Sequence, residues 1–320
     1  MGLGAVVSVA PIEVVLPTYN GVRYLEAQIA SIDNQTLRPQ RVLLRDDGSS
    51  DGTQALIREL EQRYGTWLQV LPADGNLGCT ANVNRLLQAT TAPYVALADQ
   101  DDLWLPRKLE ESLRRLQQME EMYSSQTPML VHSDLELVDK EGAMLGCTYL
   151  KRQRLDPERT APQHLALTNV VTGCTALVNR SLLEQAMPIP AEALMHDWWI
   201  ALVACVFGRI ELLPKPTILY RQHNANLLGA KGLGPDYWFQ RLAQFREVSS
   251  VSGHFKEVIE QAALFEQRYG YKITILGDLL RLSRFRRPMF LLNLKANCRP
   301  RKHGVLRNAA LYAILVCLPR

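Results

Sequence analysis

Three carboxylates, Asp99, Asp101 and Asp102, stand within four positions at the end of the apolar run 94–98. Like charges this close repel one another, so the cluster calls for a positive partner. An Asp-x-Asp at a strand end presents oxygen ligands to Mg²⁺ or Mn²⁺, hard cations that also bind phosphate oxygens and stabilise a departing diphosphate. The same carboxylates could instead cap the helix that follows and interact with its dipole.

Four further stretches carry groups of this kind. In DDGSSDGT (46–53) an Asp can accept from a base N–H or a ribose hydroxyl, or can build an Asx-turn with Asp51 as helix N-cap. In LPTYNG (16–21) a base or ribose could dock on the polar residues, or Asn20 and Gly21 could make an ordinary turn. In HDWW (196–199) a carboxylate beside a histidine suits a general base, and Trp198 and Trp199 offer a flat surface for a sugar ring. The alternative there is an N-capping Asp197 with core tryptophans. In YRQHNAN (220–226) Arg221 could bind phosphate and His223 could ligate a metal, although a lone histidine is more often structural.

These groups need elements to hold them. Compact apolar runs at 13–17, 41–47, 67–72 and 93–98 read as strands. Helix-period segments at 22–35, 51–64, 79–89 and 106–122 alternate with them, the last opened by Pro106. This order predicts an α/β fold with a parallel sheet flanked by helices. Ligands in such sheets sit beyond the carboxyl ends of the strands, where TYN, DDGSSDG and DQDD all fall. Farther along, 129–139, 170–179 and 216–222 read as strands and 195–207 as a buried helix. From 235 onward the pattern is helical and increasingly basic.

The 320 residues suffice for one large α/β domain with a helical appendage. The net charge of +4 is uneven. Residues 279–320 hold ten Lys or Arg and no Asp or Glu, which leaves the rest of the chain near −6. The six cysteines (79, 147, 174, 205, 298 and 317) show neither a disulfide pattern nor zinc-like spacing, which points to a reducing compartment. The N-terminus lacks the basic start of a signal peptide, and no apolar run reaches the ~20 residues of a spanning helix. A cytoplasmic protein is expected, peripheral on the inner face of the membrane if the basic run at 281–307 docks on an anionic leaflet. That run could instead belong to a packed helix with a solvated face. Nucleic acid is not expected as a partner, because aromatics are few there and no known module fits.

Taken together, LPTYNG, DDGSSDGT, GNLGCTAN (75–82), ALADQDDLWLPRKLE (96–110), TGCTALVNR (172–180), HDWW and YRQHNAN resemble the family 2 glycosyltransferases, inverting enzymes with the GT-A fold. DQDDLW, TGCT, HDWW and YRQH look most like the rhamnosyltransferase-like branch that builds bacterial O-antigen, capsule and other surface polysaccharides. The resemblance covers about 11–230. It implies a catalytic domain over 1–230, with a nucleotide-sugar half at about 11–125 and an acceptor half at about 126–230, followed by a basic helical extension over 231–320.

By resemblance, Pro17, Tyr19, Asn20 and Asn76 line the nucleotide-sugar pocket, with Asp99 and Arg221 beside them, and Asp47 binds the base. Asp99 and Asp101 form the Mg²⁺ or Mn²⁺ motif, with Asp101 the direct ligand and His223 a further one. Asp197 takes the place of the catalytic base. Gly173, His196, Trp198 and Trp199 fall on the acceptor side. Many members have Glu-Asp where this chain has His196-Asp197, so His196 has no inherited role, although a protonated His196 could keep the pKa of Asp197 low. The Q-x-x-R-W motif of processive synthases is missing. The implied donor is a nucleotide diphosphate sugar, dTDP-rhamnose first and a UDP- or GDP-hexose as alternative. The implied acceptor is a saccharide or a lipid-linked saccharide. A nucleotidyltransferase would need a Gly-rich, basic phosphate loop after the first strand, which LPTYNGVRYLE lacks. A catalytically inactive scaffold would be expected to have lost carboxylates that are all present.

Overall fold

The computed structural model describes residues 9–73, 75–222 and 248–274, with single positions at 278, 282, 286–289 and 312. It divides into two compact units, Met1–Tyr149 with Val171–Gly229, and Leu150–Val170 with Ala230–Arg320. Every described candidate site residue lies in the first.

In that first unit, strands β1 (Val9–Thr18), β2 (Arg38–Asp46), β3 (Leu68–Val70) and β4 (Tyr94–Leu97) are joined by helices α1 (Leu25–Asp33), α2 (Thr53–Tyr64) and α3 (Cys79–Gln88). All their pairings are parallel, in the order β3-β2-β1-β4. Ile12, Val14, Val15 and Leu16 of β1 are fully buried, as are Val42, Leu43 and Leu44 of β2. A strand covered on both faces has no polar side to show, which is why these read as continuous apolar runs.

Beyond β4 the sheet is mixed. The short β5 (Leu103–Trp104) precedes α4 (Lys108–Tyr123), and β6 (Met129–Val138) is followed by the hairpin strand β7 (Met144–Thr148). β8 (Leu177–Asn179) joins β4 and β6 antiparallel, and β9 (Arg209–Arg221) runs parallel to β6 and antiparallel to β5. Between β8 and β9 come α7 (Arg180–Ala186) and α8 (His196–Phe207). The sheet reads β3-β2-β1-β4-β8-β6-β9-β5, with β7 also on β6.

Several local expectations change. Residues 170–179 are not one strand, because a 3-10 turn at Gly173–Thr175 precedes β8. β9 starts well before 216 and runs through Pro214 and Pro216. The β6–β9 register shifts between Ser133 and Leu135, so both prolines fall where ladder hydrogen bonds are already interrupted. α2 begins at Thr53 after Gly52, whose φ of 99° suits glycine. Asp51 lies one residue earlier than an N-cap, yet its Oδ1 still accepts the Thr53 N–H at 3.1 Å. α4 begins at Lys108, past Pro106, with Arg107 at its N-cap and no side-chain cap. Asp101 and Asp102 therefore do not cap it.

In the second unit, α5 (Tyr149–Gln153, shared with the end of the first), α6 (Pro162–Leu165) and α9 (Val248–Tyr269) are described. α9 buries Val258, Gln261, Ala262 and Phe265, the three-to-four spacing of one helix face. No helix among the described residues is long and apolar enough to cross a membrane.

Candidate active site

The carboxyl ends of β1 and β2 meet in a hydrogen-bonded corner. Asp46 is committed to it: its carboxylate accepts from Thr18 Oγ1 at 3.0 Å and from the Ser49 N–H at 2.9 Å. Ser49 Oγ in turn accepts the Asn20 N–H at 2.7 Å, and Asn20 Oδ1 accepts the Ser50 N–H at 2.9 Å. Asn20 has a φ of 50°, a left-handed conformation that Asn tolerates better than most residues. Tyr19 leaves half of its surface (51%) open beside this corner, next to Pro17 at the end of β1.

Asp47 is nearly buried and ion-paired with Arg45 at 2.9 Å. Its two oxygens also accept the N–H groups of Leu77 and Gly78, each at 2.8 Å. Arg45 continues to Asn82 Oδ1 (3.1 Å) and the Gly75 carbonyl (3.3 Å). The residue expected to read the base thus also anchors the loop leading into α3, which carries the exposed Asn76.

The DQDD run leaves the end of β4. Asp102 is 1% exposed, and its oxygens make no hydrogen bond of good geometry, although the Cys174 thiol and the Arg221 backbone N–H approach them. Burial, then the neighbouring charges of Asp101 and Asp99, hold its carboxyl well above the usual range. Asp99 is pushed up to about 7 by burial and by the charges of Asp101 and Asp197. Behind them, Lys108 is wholly buried, donates to the Thr175 carbonyl at 3.3 Å and lies 4.3 Å from the Trp104 ring centroid. Burial lowers its pKa to about 8, against the opposing pull of Cys174 and Asp102. Arg221 donates to the backbone carbonyls of Asp101 (3.1 Å) and Lys140 (3.3 Å) and stacks on Tyr24. Arg221 therefore fastens the acidic run to the β6–β7 hairpin, beyond the phosphate-binding role expected of it.

These residues fit a divalent cation. The carboxylates offer hard oxygens, the buried Asp102 oxygens make no hydrogen bond of good geometry, and burial, then the charges of Asp101 and Asp197, has raised Asp99. Asp99, Asp102 and Cys174 also bring ligand atoms within 4.8 Å of one another. His223, expected as a further ligand, lies outside the described residues, as does most of 281–307.

Across from the run stands the N-terminus of α8. Asp197 Oδ2 accepts the Gly173 N–H at 2.9 Å. A side chain at Gly173 would meet Asp197 Cβ and His196 Nε2, both at 3.2 Å, so anything larger than glycine would have to push them back by a few tenths of an ångström. Burial raises the carboxyl of Asp197, only partly offset by His196 and by backbone N–H groups. The imidazole of His196 is itself buried and pushed down by that burial, with Nδ1 4.0 Å from Cys79 Sγ. A protonated His196 holding Asp197 low is thus corrected: both groups are shifted toward their neutral forms. The tryptophans are corrected too. Trp199 is fully buried, with Nε1 bonded to the Ala186 carbonyl at 3.1 Å, and Trp198 is 8% exposed. Neither offers an open ring face to a sugar.

The two halves converge at Cys79, the first residue of α3, whose thiol feels the charges of Asp99, Asp197 and Asp47. Four contributors escape a sequence reading: Arg45, Gln100, Lys108 and Tyr149. The Tyr149 phenol is pushed up to about 12, chiefly by burial and then by the charge of Asp197. Of these, Gln100 and Lys108 could be suspected only from their place inside the acidic motif.

Residues 13–186, more than half of the chain, match Glycosyl transferase family 2. The chain belongs to that family, and its mixed α/β sheet is the family's GT-A architecture. The uncharacterized glycosyltransferase RP339 of Rickettsia prowazekii is 23% identical over 268 residues, 81% of this chain and 81% of that protein. The dTDP-rhamnosyl transferase RfbG of Shigella flexneri is 26% identical over 233 residues, 67% of this chain and 74% of that protein. Among solved structures, the mannosyltransferase PcManGT from Pyrobaculum calidifontis, in complex with GDP-Man and Mn²⁺, is 17% identical with a TM-score of 0.49, covering 96% of this chain and 85% of that one.

Proposed function

We propose that this chain transfers a sugar, with inversion, from a nucleotide diphosphate donor to a saccharide or lipid-linked acceptor during surface-polysaccharide synthesis. The observation that carries this reading is the closeness of two unlike acidic sites. The charge of Asp197, a single carboxylate oriented by the Gly173 N–H, is felt by Asp99 of the crowded DQDD run.

Asp99 and Asp101 are the residues that would hold Mg²⁺ or Mn²⁺, and the bound cation would supply positive charge against the diphosphate. Pro17, Tyr19, Asn20 and Asn76 border the nucleotide side, and Asp47 keeps the loop beneath the base in place. Asp197 takes the proton of an acceptor hydroxyl. Its Gly173 hydrogen bond fixes which lone pair faces the acceptor, and its raised pKa makes the carboxylate a stronger base than that of a free aspartate. The freed oxygen attacks the anomeric carbon opposite the departing diphosphate, so one displacement inverts that centre. The donor we favour is dTDP-rhamnose, supported by the DQDDLW, TGCT, HDWW and YRQH pattern and by the likeness to a dTDP-rhamnosyl transferase. The basic stretch 281–307 would bring the enzyme to an anionic inner leaflet carrying lipid-linked acceptor.

The test is thermal unfolding with dTDP, UDP, GDP, ADP and CDP, each with and without Mn²⁺, followed by Asp197→Asn. A ligand of the native state raises the midpoint. A metal-dependent rise with dTDP supports the rhamnosyl reading; a rise with UDP or GDP replaces only the donor. Asp197→Asn should lower transfer by roughly 10²–10⁴-fold with donor binding kept. No response to any nucleotide, or loss of donor binding in Asp197→Asn, would overturn the assignment.

A further inference from the structure

Gln100 is the one uncharged residue inside the acidic run, and its side chain is engaged by the backbone of Tyr19. The Tyr19 N–H donates to Gln100 Oε1 at 2.9 Å, and Gln100 Nε2 donates to the Tyr19 carbonyl at 2.9 Å. One side-chain amide thereby imitates a strand partner for a single residue of the neighbouring loop. The contact is tight enough to dictate a second residue. A Cβ on Gly21 would lie 2.2 Å from Gln100 Oε1 and 2.6 Å from its Cδ. Gly21 has no positive φ to explain a glycine there. What it makes room for is the amide of Gln100.

We infer that Gln100 is a positioning residue that locks the nucleotide loop, through the Tyr19 backbone, to the run bearing Asp99 and Asp101. The inference rests on the function proposed above and deepens it. Tyr19 borders the nucleotide side, and Asp99 and Asp101 border the cation side. A single rigid amide between them sets the spacing at which one diphosphate can engage both. Nucleotide and cation then favour each other's binding, because the first to bind meets a site already spaced for the second. Two neutral hydrogen bonds at a partly open position limit the effect to about tenfold.

The experiment titrates the nucleoside diphosphate that most raises the wild-type melting midpoint, with and without Mn²⁺, by calorimetry. It compares wild type, Gln100→Ala, Gln100→Glu, Gly21→Ala and the Gln100→Ala/Gly21→Ala double variant. Because the atoms that a Cβ at Gly21 would strike are the end of a flexible side chain, Gly21→Ala should fold and simply eject the amide. In wild type, Mn²⁺ should strengthen nucleotide binding; in each single variant that strengthening should shrink by about tenfold, with metal-free nucleotide affinity changed by less than about twofold. The double variant should be no worse than Gln100→Ala alone, since Gly21→Ala has nothing left to displace. Unchanged metal strengthening in Gln100→Ala would overturn the inference, as would equal weakening with and without metal, or additive losses in the double variant. If wild type binds nucleotide without any help from Mn²⁺, the inference falls while the transferase reading stands. If wild type binds no nucleotide, both fall.

Discussion

Asp99, Asp102 and Asp197 all hold their protons more tightly than free aspartates, because Asp102 is buried and Asp99 and Asp197 half-buried where water solvates the charge poorly, with other acids beside Asp99 and Asp102. The folded protein thus keeps protons that the unfolded chain has already lost. Between the ordinary aspartate value near 4 and the Asp99 value of about 7, deprotonation costs the folded state, so these groups make stability fall as pH rises. Metal-free protein should show a declining melting midpoint from pH 4.5 to 7 from this source, and Mn²⁺ should flatten the decline. A decline of equal slope with saturating Mn²⁺ would count against a cation at the run. At this scale the carboxylates were legible because their residue type and strand-end position already carry the chemistry. Arg45 and Lys108 were not, since nothing in the local sequence says that these cations fold inward instead of reaching solvent, Arg45 onto Asp47 and Lys108 behind Trp104. Nor does the spacing HDWW disclose which rings are buried; Trp199 is fixed by an Ala186 carbonyl on another helix.

Elements turn those side chains into a site. α8 presents Asp197 at its first turn and is anchored by Trp199 to the end of α7. Trp199→Phe should destabilise the protein by about 2 kcal/mol, the cost of a buried carbonyl left unpaired, and Trp199→Ala by about 3–5 kcal/mol. Chemical denaturation would measure both. The acceptor KM of Trp199→Phe should stay near wild type at a temperature where it is folded, whereas loss of a sugar-stacking tryptophan would move it. Gly173→Ala should act differently. Its Cβ would press on Asp197 and His196 and shift the base by a fraction of an ångström, lowering kcat by about tenfold to a hundredfold with little change in midpoint. The parallel half of the sheet could be read from sequence because its strands are apolar on both faces. The antiparallel β7 and β5 could not: β7 is largely exposed and β5 has two residues. β9 was read short because its prolines mask a strand whose ladder is interrupted only there.

The whole molecule pairs a net-acidic catalytic region with a strongly basic C-terminal sequence, and the two make separate predictions. Full-length protein should sediment with vesicles containing anionic phospholipid and stay free of neutral ones, and raising salt from about 0.05 M to 0.5 M should release it. Binding to both vesicle types alike would point to apolar insertion instead. The architecture has one more outcome, at Cys79. The residue is exposed to solvent, yet burial of the sulfur and the charges of Asp99, Asp197 and Asp47 push its thiol up to about 12. Thiols alkylate through the thiolate, so at neutral pH this cysteine should react far more slowly than its exposure suggests. A bound cation that quiets those acids should speed it, and a seated donor should cover it. The labelling rate of one sulfur would then report the occupancy of the cleft, with no turnover required.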